Sequence, residues 1–386
     1  MFVKHLTLAN FRNYTTAEVE LQPGLTLFVG PNGQGKTNLV EAIRYLSTLS
    51  SHRVAGYLPL IRMGENSAVV RALASHDDRD VQLELELNRE TKNIARLNKV
   101  PVQRMREMVG VIQSVTFAPQ DLDIVTKDPT NRRAFIDELV VQYRPRMAGV
   151  YADYERVLKQ RNTLLKTARA TRTTGSALST LDAWDASLIQ YGSEIISQRI
   201  EVMQLLQPHL FHAYQNIAVA NNEPKMIYRT SLFGQTSDDD ETEVEESLTE
   251  SDREKIAELF TTRLAEIRPK ELERGITLAG PQRDDLLLML GALPAKGYAS
   301  HGEQWSYALA LRLASVELLR ADSRTGDPVL ILDDVFAELD AQRRLRLAEL
   351  VTNNEQVLIT AAVEEDVPTL AAAAKFHVKT GTVTRG

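Results

Sequence analysis

The segment from Gly30 to Thr37 has the clearest chemical meaning in this sequence. It reads GPNGQGKT and matches the pattern G-x-x-x-x-G-K-[ST] at every fixed position. Glycines permit the backbone torsions that turn successive N–H groups toward phosphate oxygens. We expect the Lys36 ammonium to reach the β- and γ-phosphates of ATP and the Thr37 hydroxyl to bind Mg²⁺. The predicted ATP ligands are Gly30, Pro31, Asn32, Gly33, Gln34, Gly35, Lys36 and Thr37.

A second candidate element is the pair of acids Asp333 and Asp334. They follow four apolar residues, from Val329 to Leu332, that predict a buried strand. In open α/β sheets ligands bind at the carboxyl ends of the strands, so this pair lies where a nucleotide is expected. We expect Asp333 to hold Mg²⁺ through water and Asp334 to orient or deprotonate the attacking water. The alternative, a turn capped by two acids, is less favoured in a chain that also has the glycine-rich loop.

Ser300 and Gly302 form a third candidate element. They precede an apolar run from Trp305 to Leu319 that predicts a helix. A serine hydroxyl, a glycine N–H and a helix N-terminus can together bind an anion. The alternative is a plain helix cap, and the segment taken alone favours that alternative. Phosphate binding at this position is therefore predicted only in combination with the first two elements.

Composition limits the class of protein. The chain has 386 residues, which suits two or three domains, and its lack of cysteine excludes disulfides and thiolate metal sites. The first residues, MFVKHLTLANFRNY, lack the apolar core of a signal peptide. No apolar run approaches the roughly 20 residues of a membrane span. We therefore expect a cytoplasmic protein with no membrane partner.

Charge is distributed unevenly along the chain. The formal net charge is −7, and residues 237–250 contain eight acids and no base. Residues 131–172, in contrast, contain ten Lys or Arg against four Asp or Glu. This basic segment is either an electrostatic footprint for a polyanion or a solvated helix face, and the sequence leaves both interpretations open.

Strand patterns flank both nucleotide elements, and helical patterns lie between them. A helix is predicted directly after the glycine-rich loop, from Asn38 to Ser50, and helical periodicity fills residues 131–223. Ser251, with Glu254 three residues on, is the expected N-cap of a further helix. The predicted strand segments are Phe2–Leu8, Val19–Leu21, Leu25–Val29, Val69–Leu73, Val81–Leu87, Leu286–Leu290, Pro328–Leu332 and Gln356–Thr360.

The glycine-rich loop and the paired acids lie near opposite ends of the chain, whereas a compact P-loop domain places them much closer together. The predicted fold class is therefore α/β, a split ABC-type P-loop ATPase head with an inserted helical domain. Residues 1–125 and 275–386 form the predicted core. Residues 126–274 form the predicted insert, which is mainly helical and has an acidic mobile loop near residues 235–250.

Further segments make the sequence resemble the RecF family, which comprises bacterial recombination-mediator ATPases of the ABC/SMC-like class. The resemblance covers nearly the whole chain and is far more selective than the glycine-rich loop alone. The segments that carry it are Asn10–Tyr14, Gly30–Ile43, Phe117–Leu122, Asn131–Asp137, Gly280–Asp285 and Leu332–Asp340.

The resemblance implies roles for residues that patterns alone do not assign. Gln120 is expected in the loop that senses the γ-phosphate, and Arg12 is expected to bind the nucleotide. Ser300 and Gly302 are expected to bind ATP across a dimer interface, and residues 338–340 to form an interface loop.

The sequence also departs from the family pattern. Glu303 and Trp305 stand where glutamine and arginine are usual, and Gln282 replaces a histidine. The histidine common after the last core strand of ABC transporters is absent from residues 360–363. Slow ATP turnover is therefore expected.

The resemblance implies a DNA-binding protein of repair, replication and the SOS response, associated with the nucleoid. ATP is expected to drive homodimerisation around single-stranded or gapped duplex DNA, and weak, DNA-dependent hydrolysis to release it. The chain is expected to assist recombinase loading, with recombination mediators such as RecR as its protein partners.

Two alternatives use the same class of head. One is an ATPase regulator of a nuclease in defence against foreign DNA, although the sequence shows no acidic cluster at suitable spacing for a nuclease domain. The other is a transporter subunit, which needs a coupling domain and a more standard serine segment, and the sequence contains neither.

Overall fold

The computed structural model describes residues 1–77, 79–171, 179–218, 222–234, 247–322, 326–368 and 374–386. The chain forms two compact units. The first contains Met1–Leu122, His212–Asn221 and Trp305–Gly386, and the second contains Asp123–Phe211 and Asn222–Gln304. The structure thus groups residues 275–304 with the second unit, whereas the sequence division places them in the core. The predicted domain division remains a prediction.

The strands of the described residues are short to medium in length. They are β1 (Phe2–Phe11), β2 (Tyr14–Glu20), β3 (Gly24–Val29), β4 (Ser67–His76), β5 (Arg79–Asn88), β6 (Ile94–Leu97), β7 (Val100–Pro101), β8 (Ser114–Phe117), β9 (Pro224–Arg229), β10 (Asp285–Leu290), β11 (Leu293–Pro294), β12 (Val329–Asp333), β13 (Gln356–Ala361), β14 (Ala374–Lys379) and β15 (Thr382–Arg385).

The helices range from single turns to a helix of 39 residues. They are α1 (Lys36–Thr48), α2 (Leu122–Thr126), α3 (Pro129–Tyr143), α4 (Met147–Thr171), α5 (Ser179–Ile217), α6 (Arg253–Arg274), α7 (Ala295–Tyr298), α8 (His301–Asp322) and α9 (Ala341–Val351). Short 3₁₀ turns lie at Leu58–Leu60, Met105–Met108, Pro119–Asp121, Phe336–Glu338 and Glu364–Asp366.

The first unit contains two six-stranded sheets. One is antiparallel, in the order β2-β1-β4-β5-β6-β7. The other has the order β15-β14-β3-β13-β12-β8, and its strands are parallel except for the edge strand β15. The parallel strands β12 and β13 are buried along their whole length, which explains why they read as continuous apolar runs.

Helix α1 contacts strands of both sheets, including β1, β4, β8 and β13. Its apolar residues Leu39, Ala42, Ile43 and Leu46 are almost fully buried and belong to the same apolar cluster as the facing strands. Because α1 begins directly after the glycine-rich loop, this packing fixes the position of the loop's C-terminal end.

The second unit combines helices α3, α4 and α6 and most of α5 with a small antiparallel sheet of order β11-β10-β9. Strand β9 directly follows the run of helical patterns and was not predicted from the sequence. Helix α6 begins at Arg253 and is capped by Asp252, whose carboxylate accepts hydrogen bonds from the N–H groups of Glu254 and Lys255. The prediction that Ser251 is the cap was therefore wrong by one residue.

Arginines of the basic segment 131–172 form ion pairs within the second unit. Arg132 binds both carboxylate oxygens of Asp285, at 2.7 and 2.8 Å. Arg161 is fully buried and binds Asp185 and Glu271, at 2.6 Å each. Further ion pairs join Arg146 to Glu194 and Arg156 to Asp153. Arg132 and Arg161 thus pair with acids in the interior of the unit, whereas Arg146 and Arg156 are mostly exposed.

The segment Gly280–Asp285 takes part in a buried polar network of the second unit. Asp284 accepts hydrogen bonds from the Tyr228 hydroxyl, at 2.8 Å, and from the Ser231 N–H, at 2.7 Å. Burial raises the pKa of Asp284 despite these donors. Arg199, also buried, donates to the Pro281 carbonyl at 2.7 Å and pairs with Asp137. The segment thus holds the second unit together.

The predicted acidic loop at residues 235–250 lies outside the described residues except for 247–250. In the part of the chain that the structure describes, no helix combines the length and the apolar character needed to cross a membrane.

Candidate nucleotide-binding site

The glycine-rich loop connects β3 to α1, as predicted, so it lies at the carboxyl end of a buried strand. Lys36 is 3% exposed, and its ammonium donates to the carbonyls of Gly30, at 2.8 Å, and Pro31, at 3.3 Å. These contacts hold the lysine across the loop it belongs to. The ammonium is thus placed at the loop where phosphate oxygens are expected.

Two glycines of the loop are required for different reasons. A Cβ on Gly30 would lie 2.2 Å from the carbonyl oxygen of Val378, so the close approach of β14 excludes a side chain. Gly33 has a φ of +80°, which favours glycine, although there is open space around it. Packing therefore favours glycine at position 30, and backbone conformation favours it at position 33.

The turn between β1 and β2 braces the loop from one side. Asn13 donates through Nδ2 to the Gln34 carbonyl at 2.9 Å, and the Tyr14 hydroxyl donates to the Gly35 carbonyl at 3.0 Å. Asn38, on α1, donates to the Asn13 side chain at 2.7 Å. Burial raises the pKa of Tyr14 far above its ordinary value, so its hydroxyl stays a donor. These contacts give the segment Asn10–Tyr14 a direct structural role.

The turn between β14 and β15 braces the loop from the other side, a contact that no sequence pattern predicts. The Gln34 side chain accepts a hydrogen bond from the Thr380 N–H at 2.7 Å, and the Gln34 carbonyl accepts one from the Gly381 N–H at 3.2 Å. Gln34 therefore anchors the loop rather than projecting away from it.

Arg12, a predicted nucleotide ligand, binds protein groups in this structure. Its guanidinium contacts both carboxylate oxygens of the buried Glu41, at 2.8 and 2.6 Å, and the Pro59 carbonyl at 3.2 Å. The side chain is 14% exposed. The structure thus gives Arg12 a role in fixing α1, and nucleotide binding by Arg12 remains a prediction.

Asp333 joins the two distant parts of the predicted site. It ends β12, and its Oδ1 atom accepts hydrogen bonds from Thr37 at 2.9 Å and from Thr360 at 2.7 Å. Thr37 lies in the first turn of α1, the helix after β3, and Thr360 lies near the end of β13. Three neighbouring strands of one sheet therefore bring together residues that are 296 positions apart in the chain.

Asp334 has a φ of +54°, a left-handed conformation that is uncommon for aspartate. Its N–H donates to the Thr360 hydroxyl at 2.9 Å, which holds this backbone in place. Burial raises the pKa of the Asp334 carboxyl, and the negative charge of Asp333 acts in the same direction. A carboxyl with a raised pKa suits proton transfer, in keeping with the predicted role of Asp334.

Gln120 lies in the 3₁₀ turn after β8, the strand that pairs with β12, and its side chain is exposed. The turn is fixed by Asp121, which accepts from the Ala118 N–H at 2.8 Å and from Arg312 at 2.6 Å. Because β8 and β12 are parallel, the turn that carries Gln120 lies at the same edge of the sheet as Asp333. Its role in sensing the γ-phosphate remains a prediction.

His52 also lies at this site, although the sequence analysis did not single it out. Its Nε2 atom is 3.5 Å from Oδ2 of Asp333, and both side chains are largely buried. A lone histidine in a loop between a helix and a 3₁₀ turn has no motif around it, so only the structure shows the contact.

The donor set suits Mg²⁺ bound together with a nucleotide. Within the described ranges, no group of three or more histidines, cysteines or acids could hold a metal ion by itself. Mg²⁺ usually takes one or two protein oxygens and fills the remaining positions with phosphate oxygens and water. The Thr37 hydroxyl and the Asp333 carboxylate supply such a pair.

Ser300 caps α8 through a reciprocal arrangement with Glu303. Its hydroxyl and its N–H both donate to the Glu303 carboxylate, at 2.7 and 2.8 Å. The other oxygen of Glu303 accepts from Asn222 at 2.6 Å. This is a capping box, the alternative that the sequence favoured for the segment alone. Binding of ATP by Ser300 and Gly302 remains a prediction.

The segment after the acidic pair also caps a helix. Asp340 accepts a hydrogen bond from the Arg343 N–H at 2.9 Å and so begins α9, and Glu338 and Asp340 are both exposed. Their place in a dimer interface remains a prediction.

A glycine-rich loop between strand and helix, a carboxylate on a parallel strand of the same sheet and a hydroxyl that joins the two are the nucleotide elements of a P-loop ATPase. The model of the RecF/RecN/SMC N-terminal domain family matches residues 2–384. The chain belongs to this family and, by its relatives, to the RecF proteins of DNA replication and repair. The predicted fold class and family are thus confirmed.

Two relatives named DNA replication and repair protein RecF are each 53% identical to this chain. The protein of Clavibacter michiganensis subsp. michiganensis matches over 99% of this chain and 96% of its own length. The protein of Streptomyces avermitilis matches over 100% of both chains.

Solved structures agree with this assignment. The recombination mediator protein RecF-ATP in the RecFOR pathway has a TM-score of 0.87 and 27% identity, over 100% of this chain and 97% of that chain. An Smc head domain from Pyrococcus furiosus has a TM-score of 0.54 and 15% identity, over 100% of this chain and 96% of that chain, and shares the fold.

Thr360→Val tests whether the threonine hydroxyl fixes the two acids. The valine keeps the volume but leaves the Asp334 N–H without its partner, so we expect a loss of about 1–3 kcal/mol in the free energy of unfolding. Urea denaturation followed by circular dichroism measures this loss.

Thr26→Val is the matched control for Thr360→Val. Thr26 is a buried threonine of β3 in the same sheet, and its hydroxyl has no hydrogen-bond partner among the described residues. We expect this variant to be as stable as the wild type or more stable. Equal losses in the two variants would contradict the role given to Thr360.

Proposed function

We propose that this chain is an ATP-dependent DNA-binding protein of recombinational repair and replication maintenance. The observation that carries the proposal is the contact between Thr37 and Asp333, which joins the phosphate loop to the carboxylate strand in a RecF-family chain. In the proposal, ATP brings two copies together on DNA, and slow hydrolysis releases them.

The residues of the loop divide the binding of ATP between them. Backbone N–H groups from Gly33 to Lys36 point to the phosphates, and Lys36 exchanges its contacts with loop carbonyls for phosphate oxygens. Thr37 and Asp333 would hold Mg²⁺, with the phosphates and water as its other ligands. Mg²⁺, when bound, neutralises phosphate charge. Asp334, with its raised pKa, orients the attacking water.

A second copy of the chain completes the site in this proposal. Ser300 and Gly302, at the start of α8, present a hydroxyl and a helix N-terminus to the γ-phosphate bound by the other copy. The Ser300 hydroxyl is held by Glu303, so ATP competes with a carboxylate for this donor. Such competition is consistent with weak, regulated ATPase activity.

DNA is the proposed macromolecular ligand, with gapped duplex and single-stranded DNA as substrates and RecR-like mediators as partners in the cytoplasm. The support is the family, because the relatives are DNA replication and repair proteins. The buried arginines Arg132 and Arg161 are committed to ion pairs and are not part of the proposed DNA surface. Basic residues other than these two would contact the DNA phosphates. The affinity for DNA should therefore fall strongly as the salt concentration rises.

The alternative function, an ATPase regulator of a nuclease, has less support. The reported relatives are named for replication and repair, and the described residues contain no acidic cluster for metal-dependent cleavage.

Lys36→Ala removes the ammonium that the proposal assigns to the phosphates. We expect this variant to fold normally but to lose ATP-induced dimerisation, since the phosphate charge is no longer neutralised. Light scattering of the protein with ATP, ADP or no nucleotide measures the mass.

Lys379→Ala is the control for Lys36→Ala, since Lys379 is an exposed lysine of β14 in the same unit. It should dimerise with ATP as the wild type does. An ATP-induced dimer of Lys36→Ala would contradict the proposal.

Glu303→Gln tests the competition at Ser300. Glutamine can still form the capping box, but it removes the negative charge beside the proposed γ-phosphate position. We expect roughly two- to fivefold less ATP to be needed for half-maximal dimerisation, the size of one weakened repulsion near a surface. The measurement is a titration of ATP followed by light scattering.

Glu258→Gln, an exposed position of α6 in the same unit, controls for the change in net charge. It should leave the ATP requirement unchanged. If Glu303→Gln needs as much ATP for half-maximal dimerisation as the wild type, the charge of Glu303 does not oppose ATP-induced dimerisation.

A further inference from the structure

His52 lies in the loop between α1 and the 3₁₀ turn at Leu58–Leu60, and its ring makes no hydrogen bond to the described residues. The side chain is 8% exposed. Neither ring nitrogen has a hydrogen-bond partner among the described residues, and both atoms are buried. Buried polar atoms without partners are rare, since each costs about 1–3 kcal/mol. A histidine in this position therefore calls for a function.

The residues beside His52 fix its backbone. The Ser51 hydroxyl donates to Glu41 at 2.5 Å and accepts from the N–H groups of Arg53, at 3.0 Å, and Val54, at 3.3 Å. Arg53 donates to the Asn38 side chain at 2.7 Å. Glu41 and Asn38 both belong to α1, so the loop that carries His52 is tied to the helix of the phosphate site.

Asp333 is held at only one of its carboxylate oxygens. Oδ1 accepts from Thr37 and Thr360, whereas Oδ2 receives no hydrogen bond from the described part of the chain. The Nε2 atom of His52 faces Oδ2 at 3.5 Å. This distance is about half an ångström longer than a usual N–H···O hydrogen bond. Hydrogen bonds at catalytic sites often shorten to normal length in the loaded complex.

We propose that His52 is a positioning residue for Asp333. Its Nε2–H group donates to Oδ2, so that both carboxylate oxygens are held and the carboxylate plane is fixed. Side chains that hydrogen-bond to metal-binding groups orient those groups in this way. The orientation of the Asp333 carboxylate affects the binding of the Mg²⁺ that accompanies ATP. The inference therefore rests on the proposed function.

The test compares two side chains that fill the same space. His52→Leu removes the donor, and His52→Gln retains one at a similar reach. The probe is a fluorescent ATP analogue bound to the full chain while Mg²⁺ is titrated. We expect His52→Leu to need about tenfold more Mg²⁺ for half-maximal binding, the lower end of the effect of losing such a partner. His52→Gln should stay within about threefold of the wild type.

His377→Ala is the control, since His377 is an exposed histidine of β14 in the same unit. Its Mg²⁺ requirement should match that of the wild type. In the absence of Mg²⁺ all variants should bind the analogue equally, because His52 acts through Asp333. A packing role alone predicts that His52→Leu and His52→Gln behave alike, and that result would overturn the inference.

The wild type separates this inference from the proposed function. If the wild type does not bind the analogue with or without Mg²⁺, ATP binding itself fails. If the wild type binds with a clear Mg²⁺ requirement and His52→Leu has the same requirement, only the role of His52 fails.

Discussion

The hydrogen bonds that Asp333 accepts from Thr37 and Thr360 hold the proposed site together. They connect the start of α1, the end of β12 and the end of β13, which come from distant parts of the chain. The sheet order β3-β13-β12 places these ends side by side. The site therefore exists only when the two halves of the first unit have assembled into one sheet.

The phosphate loop depends on the same assembly. Asn13 and Tyr14 hold it from the N-terminal hairpin, and Thr380 and Gly381 hold it from the C-terminal hairpin. Residues from both ends of the chain thus fix the loop before any ligand binds. A loop backbone that is held in this way needs little rearrangement when phosphate binds.

Much of the fold and the centre of the site could be predicted from the sequence. The loop pattern fixes the roles expected of Lys36 and Thr37, and the apolar run before Asp333 predicts a buried parallel strand. Parallel strands share one carboxyl edge, so the approach of Thr37 to Asp333 follows from these two patterns. The long separation between the glycine-rich loop and the paired acids predicts the split architecture, and the family resemblance identifies the family.

The remaining contacts had no local pattern. Gln34, Arg12 and His52 acquire partners only through tertiary packing, so residue type and spacing could not assign them. The sequence left the role of the basic segment open for a similar reason, because the acids that pair with Arg132 and Arg161 lie more than a hundred residues away or on another helix. Strand β9 was missed because its six residues follow a long helical run.

The central claim is that the nucleotide controls binding to DNA. The most direct measurement is the affinity of the full chain for labelled duplex, single-stranded and gapped DNA, by fluorescence anisotropy, with ATP, ADP or no nucleotide. The proposed mechanism predicts that ATP strengthens binding to gapped DNA relative to the other two conditions. Equal affinity in all three conditions would contradict it.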